Sequence, residues 1–203
     1  MPDLSYEIAA REKGYTAICG VDEAGRGPLM GPVWAAAVIL PEWVELEGVN
    51  DSKKLSEKKR EALFEVIKEK ALAYSVAYAS VEEIEEVNIL NATYLAMNRA
   101  IEGLKLSADY ALIDGNRVPK DIKIDCETVV KGDAKSLSIA AASILAKVSR
   151  DRLVLEYDKE LPEYGFAAHK GYGTAAHIEA IKKYGPSKYH RPSFLKNIKW
   201  WMF

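Results

Sequence analysis

An apolar run followed at once by an acidic, glycine-rich turn is the feature that most restricts how this chain folds. Residues 16–19 are typical of a buried strand, and this strand is followed by GVDEAGRGP. Asp22 and Glu23 are therefore expected at a strand end. Gly25 and Gly27 allow positive φ and let backbone N–H groups approach a ligand. A polar turn leading into a hairpin is the alternative interpretation.

The length and composition favour one compact domain. The 203 residues are enough for an α/β domain with a hydrophobic core. No apolar run approaches the roughly 20 residues that span a bilayer, and residues 1–7 lack the features of a signal peptide. We therefore expect a cytoplasmic, monomeric protein without a membrane segment. Cys19 and Cys126 lie in strand-like segments without metal-site spacing, which argues against a disulfide or a zinc site.

Positive charge is concentrated at the C-terminal end. The net charge of the chain is −2, but residues 165–203 carry seven lysines and arginines against Glu179 alone. All three histidines and three tyrosines also fall in this segment. We expect it to be a basic helical extension that packs on the domain formed by residues 1–164 and contacts phosphates and sugars through residues such as Lys170, Lys188 and Arg191. A solvated helical face is the alternative.

Strand and helix patterns alternate along the chain, which favours an α/β layer architecture. Further strands are predicted at residues 32–40, 71–80, 110–113 and 122–130, and helices at residues 56–70, 80–104, 134–158 and 174–184. The first two strands are close enough for an antiparallel hairpin. Ser80 and Glu83 form a capping-box pattern, and a break is expected near residues 88–91. The long helix at 134–158 has an apolar stripe, with Lys135, Lys147, Arg150 and Arg152 on its other faces.

Four carboxylates end or follow three of the strands: Asp22, Glu23, Asp114 and Asp133. If these strands are neighbours, the acids converge at one edge of the sheet. Two carboxylates about 4 Å apart repel by roughly 4 kcal/mol at an effective dielectric constant of about 20, so cations or protons must compensate. Oxygen-only ligands favour Mg²⁺ or Mn²⁺, and two such ions suit phosphodiester hydrolysis. For Asp133 alone, an N-terminal cap of the following helix is the alternative.

Taken together, these motifs resemble the ribonuclease HII family of the ribonuclease H superfamily. The resemblance runs from about residue 16 to 195. It is carried by GVDEAGRG at 20–27, NDSKKL at 50–55, IDGN at 113–116, KGD at 131–133, residues 138–151, HKGYGT at 169–174 and HRPSF at 190–194. The resemblance implies a ribonuclease H-like mixed five-stranded sheet flanked by helices. It also implies an endonuclease that hydrolyses the RNA strand of RNA/DNA hybrids with two Mg²⁺ or Mn²⁺ ions.

The resemblance further implies specific roles for the motif residues. The four carboxylates would be the catalytic, metal-binding set, and cleavage would occur 5′ of single ribonucleotides in duplex DNA, giving 3′-hydroxyl and 5′-phosphate ends. The family's Gly-Arg-Gly loop reads the ribose 2′-hydroxyl, its motif tyrosine packs on the following deoxyribose, and its Asp-Ser-Lys loop holds phosphates. The corresponding substrate contacts here are Gly25, Arg26, Gly27, Asn50, Ser52, Lys53, Lys147 and Tyr172.

The C-terminal sequence KWWMF at residues 199–203 raises a further question. The family's peptide for binding the sliding clamp is sometimes C-terminal, and these residues are aromatic enough to be compared with it. A hydrophobic tail that packs on the body of the protein is the alternative.

Two other functions are consistent with parts of the sequence. Another two-metal nuclease or strand-transfer enzyme of the same superfamily would share the acids but lack the Gly-Arg-Gly loop and the tyrosine motif. A non-catalytic protein would use the acids as caps and turn residues and bind nucleic acid through its basic extension alone. Only this last function predicts that no metal is needed.

Overall fold

A mixed five-stranded sheet lies at the centre of the computed structural model, which describes residues 1–49, 52 and 55–198. The strand order is β3-β2-β1-β4-β5. β1 pairs antiparallel with β2 and parallel with β4, while β3 and β5 extend the sheet on either side. The expected mixed sheet is confirmed. The strands are β1 (Ile18–Ala24), β2 (Val33–Ile39), β3 (Ala73–Ala79), β4 (Tyr110–Asp114) and β5 (Asp125–Val129).

Helices cover both faces of this sheet. They are α1 (Ser5–Glu12), α2 (Glu57–Lys70), α3 (Val81–Glu102), α4 (Leu137–Glu160), α5 (Phe166–His169) and α6 (Ala175–Tyr184). Alternate side chains of β2 point to opposite faces. Val33 and Ala35 belong to one hydrophobic cluster with α3, whereas Ala36 and Val38 belong to another with α2 and α4. A strand buried on both faces needs apolar residues throughout, which explains the continuous run in β2.

Gly20 allows α4 to contact β1 directly. A β-carbon placed on Gly20 would lie 2.2 Å from the carbonyl carbon of Ser138, a separation that real side chains do not adopt. The small residues 140–142 of α4 are all buried against the sheet. Two residues beyond Gly20, Asp22 is thereby held next to α4.

Several predicted helix boundaries are confirmed. Ser56 and Thr174 accept hydrogen bonds at the starts of α2 and α6, and Ser80 and Glu83 form a capping box on α3. The predicted break in α3 lies at Asn88, which has a φ of 67° and a ψ of 164°. Its side-chain oxygen accepts hydrogen bonds from the N–H groups of Leu90 and Asn91, so Asn88 caps the helical segment that follows the break.

Other predicted boundaries were wrong. α4 begins at Leu137, because the Ser136 hydroxyl accepts the Ile139 N–H and caps the helix. Asp133 lies earlier, in the 3₁₀ turn Gly132–Ala134, so it is not the helix cap. β1 continues through Ala24, since its last residues still pair with β2; the acids lie within the strand rather than after it. β5 is shorter than predicted, and α1 and α5 were not predicted.

Residues 165–198 pack closely on the sheet domain. Phe166, Ile181 and Leu195 share a buried cluster with Met30, from the turn after β1, and Val154, from α4. The loop after β1 thus packs against both α4 and the C-terminal segment. Within the described part of the chain, no helix has both the length and the hydropathy that crossing a bilayer requires.

Candidate active site

Asp22, Glu23 and Asp114 form a cluster of carboxylates at one end of the central strands. One oxygen from each lies within 4.8 Å of the others. The register of the sheet explains their proximity, because Val21 of β1 pairs with Ile113 of β4 in parallel and the next residue in each strand is an aspartate. Neighbouring residues in register project on the same face, so Asp22 and Asp114 are brought together. Three of the four predicted acids therefore converge.

The buried cluster is electrostatically unfavourable without a counter-charge. Asp22 is 5% exposed. Burial, and then the negative charges of Glu23 and Asp114, raise the pKa of the Asp22 carboxyl well above its usual range. The Ser143 hydroxyl and the Glu23 N–H, which is 2.7 Å from Oδ1, oppose this shift by hydrogen bonding. An oxygen-only donor set carrying excess negative charge fits a hard divalent cation such as Mg²⁺ or Mn²⁺.

Asp133 is placed differently from the other acids. It is 8% exposed and, among the described residues, it is not part of the compact carboxylate group. The residue before Asp133 links this turn to the carboxylate cluster, because the Gly132 N–H donates to Oδ1 of Asp114 at 2.6 Å. Asp133 therefore adjoins the cluster through the turn that orients Asp114.

The Gly-Arg-Gly loop begins where β1 ends. Gly25 has a φ of 96°, and a β-carbon there would lie 2.5 Å from Nε of Arg150. Both facts require glycine at this position. Gly27 does not have a positive φ, so the conformational freedom of glycine is used at Gly25 and not at Gly27. Arg26 is exposed and donates to Oε1 of Glu23 at 3.1 Å, which ties the loop to the acidic cluster.

Tyr172 lies beside this loop. Its side chain is 46% exposed, and a β-carbon on Gly27 would lie 3.5 Å from its ring. The Tyr172 carbonyl oxygen is hydrogen-bonded to Nδ1 of His177 at 2.9 Å. Because Gly27 has no side chain, the Tyr172 ring lies next to accessible backbone atoms of the loop.

Ser52 and Lys147 lie on the α4 side of the acids. The Ser52 and Ser143 hydroxyl oxygens are 2.9 Å apart, and the Ser143 hydroxyl is one of the groups that lower the pKa of the Asp22 carboxyl. Nζ of Lys147 donates to Oδ1 of Asp151 at 2.7 Å. These two predicted contacts are thus linked to the carboxylate cluster through α4. Asn50 and Lys53, the other predicted contacts here, lie outside the described residues.

Several basic residues predicted at the surface lie in the interior. His177, His190 and Arg191 are each at most 2% exposed, and Arg150 is 1% exposed. The expectations that Arg150 lines an outer face of its helix and that Arg191 and the histidine cluster contact phosphates were therefore wrong. Each of them is instead hydrogen-bonded inside the protein, for instance Nη2 of Arg150 to the carbonyl of Lys170 at 2.9 Å, although Nε and Nη1 of Arg150 are buried without a hydrogen-bond partner among the described residues.

Two residues that hold the site in place could hardly be identified from the sequence. Ser143 is the polar member of an otherwise small and apolar run on a buried helix, and that contrast was its only signal. Arg191 occurs in the motif HRPSF, but its charge suggested the surface. Proximity of the motif to the Gly-Arg-Gly loop arises only from the tertiary fold.

A cleft of about 380 Å³ opens beside the acids. Glu23, Asp114 and Arg26 line one side, and residues from α3 line the other. Asn116 and Arg117, from the loop after β4, complete its wall. The cleft thus presents both carboxylates and cations to a ligand.

Comparison with known proteins places the chain in one family. The profile described as Ribonuclease HII matches residues 19–197. Ribonuclease HII of Clostridioides difficile (strain 630) is 58% identical over 193 residues, which cover 95% of this chain and 75% of that protein. The ribonuclease H2 structure from Pyrococcus horikoshii OT3 matches with a TM-score of 0.77 and 26% identity, over 93% of this chain and 100% of that one.

A second solved structure has a similar degree of likeness. The PCNA:RNase HII complex from Archaeoglobus fulgidus matches with a TM-score of 0.74 and 28% identity, over 87% of this chain and 94% of that chain. Profile, sequence and fold agree with one another and with the acidic cluster. The chain therefore belongs to the ribonuclease HII family and is a metal-dependent endoribonuclease.

Proposed function

We propose that this protein hydrolyses the RNA strand of RNA/DNA hybrids and also cuts on the 5′ side of single ribonucleotides in duplex DNA, leaving 3′-hydroxyl and 5′-phosphate ends. One contact supports this substrate most directly: Gly27 faces the ring of Tyr172. Gly25 follows β1 directly, so the Gly-Arg-Gly loop lies next to Asp22 and Glu23, which are near the end of that strand. The loop that we propose recognises the sugar therefore lies next to the acidic cluster.

The carboxylates supply the metal site in this proposal. Asp22, Glu23 and Asp114 would hold divalent ions, with Asp133 as the fourth ligand beside Gly132. Two such ions would supply an activated water and stabilise the charge that develops on the oxygens of the phosphodiester. Ser143 orients the Asp22 carboxyl, and the Gly132 N–H orients that of Asp114. The protein thereby fixes the oxygen atoms before a metal binds.

Selectivity for ribose requires groups separate from the acids, because a metal site alone does not distinguish the two sugars. Only the 2′-hydroxyl differs between RNA and DNA at a given nucleotide. We propose that the backbone of Gly25, Arg26 and Gly27 binds that hydroxyl, and that Tyr172 packs on the deoxyribose that follows. Ser52, Lys147, Asn50 and Lys53 would hold the phosphates on either side.

The C-terminal extension would complete this binding surface as part of the same domain. Contacts of Arg191 with the loop after β1 support that arrangement. We further propose a monomer that binds a sliding clamp through residues 199–203, which lie outside the described residues. The Archaeoglobus complex supports a clamp as the partner. Binding to a clamp should be lost in a chain shortened to residues 1–198 while nuclease activity persists.

A cleavage assay on three matched duplexes tests the function. One carries a single ribonucleotide, one carries the same nucleotide as 2′-O-methylribose, and one is entirely DNA. We expect Mg²⁺- or Mn²⁺-dependent cutting of the first only, 5′ of the ribonucleotide, and no cutting in EDTA. Equal cutting of all three duplexes, or cutting that persists in EDTA, would refute the proposal.

A further inference from the structure

The guanidinium group of Arg191 lies buried beneath the turn that contains Gly25, Arg26 and Gly27. The residue is 0% exposed. Its Nη2 donates to the carbonyl of Gly25 at 2.6 Å, and its Nη1 donates to those of Arg26 at 3.0 Å and Pro28 at 2.8 Å. Nε donates to the carbonyl of Gly31 at 2.8 Å. One side chain therefore fixes four carbonyls within seven residues.

Backbone hydrogen bonds hold the same turn from the C-terminal side. The Arg191 N–H donates to the Leu29 carbonyl, and the Gly31 N–H donates to the Tyr189 carbonyl, both at 2.8 Å. These bonds anchor the far end of the turn, between residues 29 and 31. The Arg191 side chain reaches from Gly25 to Gly31, so it couples the Gly-Arg-Gly loop to the C-terminal segment.

The chemistry of this contact requires arginine. Guanidinium carries five N–H donors in a rigid planar fork, whereas a lysine ammonium carries three donors on a single atom. The separate N–H groups of a guanidinium can reach four carbonyl oxygens spread along the turn, whereas the single nitrogen of a lysine ammonium group cannot. Burial, together with the nearby charge of Arg150, lowers the pKa of Arg191 to about 9, which still leaves it protonated at neutral pH. A buried cation is costly unless it is hydrogen-bonded, and here the carbonyls of one turn supply the hydrogen bonds.

We propose that Arg191 is a positioning residue for ribose recognition, which fixes the backbone of the Gly-Arg-Gly loop from the interior without touching the substrate. The inference rests on the proposed function of that loop. Lysine at this position would keep the charge but lose most of the carbonyl contacts. Small displacements of such a loop are expected to reduce ribose selectivity by about 100-fold.

The test compares Arg191→Lys with the wild type and with a matched control, Arg99→Lys. Arg99 also donates to a backbone carbonyl, that of Tyr78 at 2.9 Å, but it belongs to α3 and pairs with Glu83. Affinities in EDTA are measured for a duplex with one ribonucleotide and for the same all-DNA duplex. We expect the ratio of the two affinities to fall toward one in Arg191→Lys and to stay at the wild-type value in Arg99→Lys.

The ratio separates positioning from general stability, because a smaller folded fraction lowers both affinities alike. Hydrogen exchange gives a second readout: in Arg191→Lys, peptides covering residues 25–31 should exchange faster while those covering β4 do not. Added methylguanidinium should restore the ratio in Arg191→Ala, with tetramethylammonium as the control salt.

A wild-type ratio in Arg191→Lys, or exchange that accelerates equally throughout the protein, overturns the inference. A variant that is globally unfolded also overturns it, since Arg191 would then be a stability residue. If the wild-type protein itself shows no preference for the ribonucleotide duplex, the proposed function of the loop fails instead.

Discussion

The Nε2 atoms of His177 and His190 lie 3.0 Å apart in the protein interior. The Ser187 N–H donates to Nδ1 of His190 at 2.9 Å, so the proton of His190 is on Nε2 and is donated to His177. His177 then carries its proton on Nδ1 and donates to the carbonyl of Tyr172. Both rings are neutral in this chain of hydrogen bonds. They form a rigid support behind the tyrosine that faces the Gly-Arg-Gly loop.

Lowering the pH should destabilise this pair of buried histidines. Burial lowers the pKa of both histidines from 6.5 to about 4. The folded protein therefore binds fewer protons than the unfolded chain between those values, so the free energy of unfolding should fall as the pH falls from about 6.5 toward 4. For one such histidine, the free energy of unfolding should fall by about 3 kcal/mol by the lower end of this pH range. Urea unfolding at pH 7.5, 6, 5 and 4.5 measures the effect.

A His190→Gln variant is the control for this prediction. It has one titrating ring fewer, so its stability should decline less steeply over the same pH range. Identical pH dependence in the variant and the wild type would show that other groups are responsible.

Asp22→Asn should abolish turnover without unfolding the protein. Loss of a metal-binding carboxylate should reduce Mg²⁺-dependent cleavage by at least about 100-fold. Since the substitution also removes repulsion with Glu23 and Asp114, the melting temperature in EDTA should stay the same or rise. Asp114→Asn should behave in the same way. Glu156→Gln, at an exposed position on α4, is the control and should keep full activity; near wild-type cleavage by Asp22→Asn would exclude this metal site.

The positions of the acidic residues could be predicted from the sequence better than the residues that hold them in place. The parallel register of Val21 with Ile113 brings Asp22 and Asp114 together, and both aspartates could be identified because each ends an apolar run. Helix caps such as Ser80 were predictable because capping depends on a few adjacent residues. Asp133 was the cap that the sequence suggested for α4, but the helix is capped by Ser136, because backbone geometry that the sequence pattern does not contain places Asp133 in a separate turn.

Burial of polar side chains was the least predictable property. His177, His190 and Arg191 have the composition of a nucleic-acid surface, but each is enclosed and hydrogen-bonded by segments distant in sequence. Polar residues are buried only where such partners exist, and these partners become known only with the tertiary structure.

Lys147→Ala should weaken binding to hybrids of every sequence. If Lys147 contacts a phosphate, its loss should reduce the slope of log affinity against log salt concentration by about one. Lys159→Ala is the matched control, because Lys159 lies on the same helix about 18 Å farther along and pairs with Glu156 at the surface. Salt titrations of both variants measure the slopes, and equal slopes would remove Lys147 from the binding surface.

Tyr172→Ala should impair cleavage of a single ribonucleotide in DNA more than cleavage of a continuous RNA/DNA hybrid. Only the first substrate offers a deoxyribose after the ribonucleotide for the ring to pack on. Tyr184→Ala is the matched control, since the two tyrosines are 48% and 46% exposed. The values of kcat/KM on both substrates are compared, and an equal loss on the two would identify Tyr172 as a packing residue.

The bond between Arg191 and Gly25 joins residues 166 positions apart. At about 5–20 residues per second, a ribosome adds Arg191 roughly 10 to 30 s after Gly25. Both strands of the β1–β2 hairpin are made early in that interval, whereas the loop that follows β1 cannot receive its arginine until residue 191 has been added. Nascent chains therefore carry the loop without its interior anchor throughout that interval, and the finished recognition surface forms well after the strand that leads into it has been made.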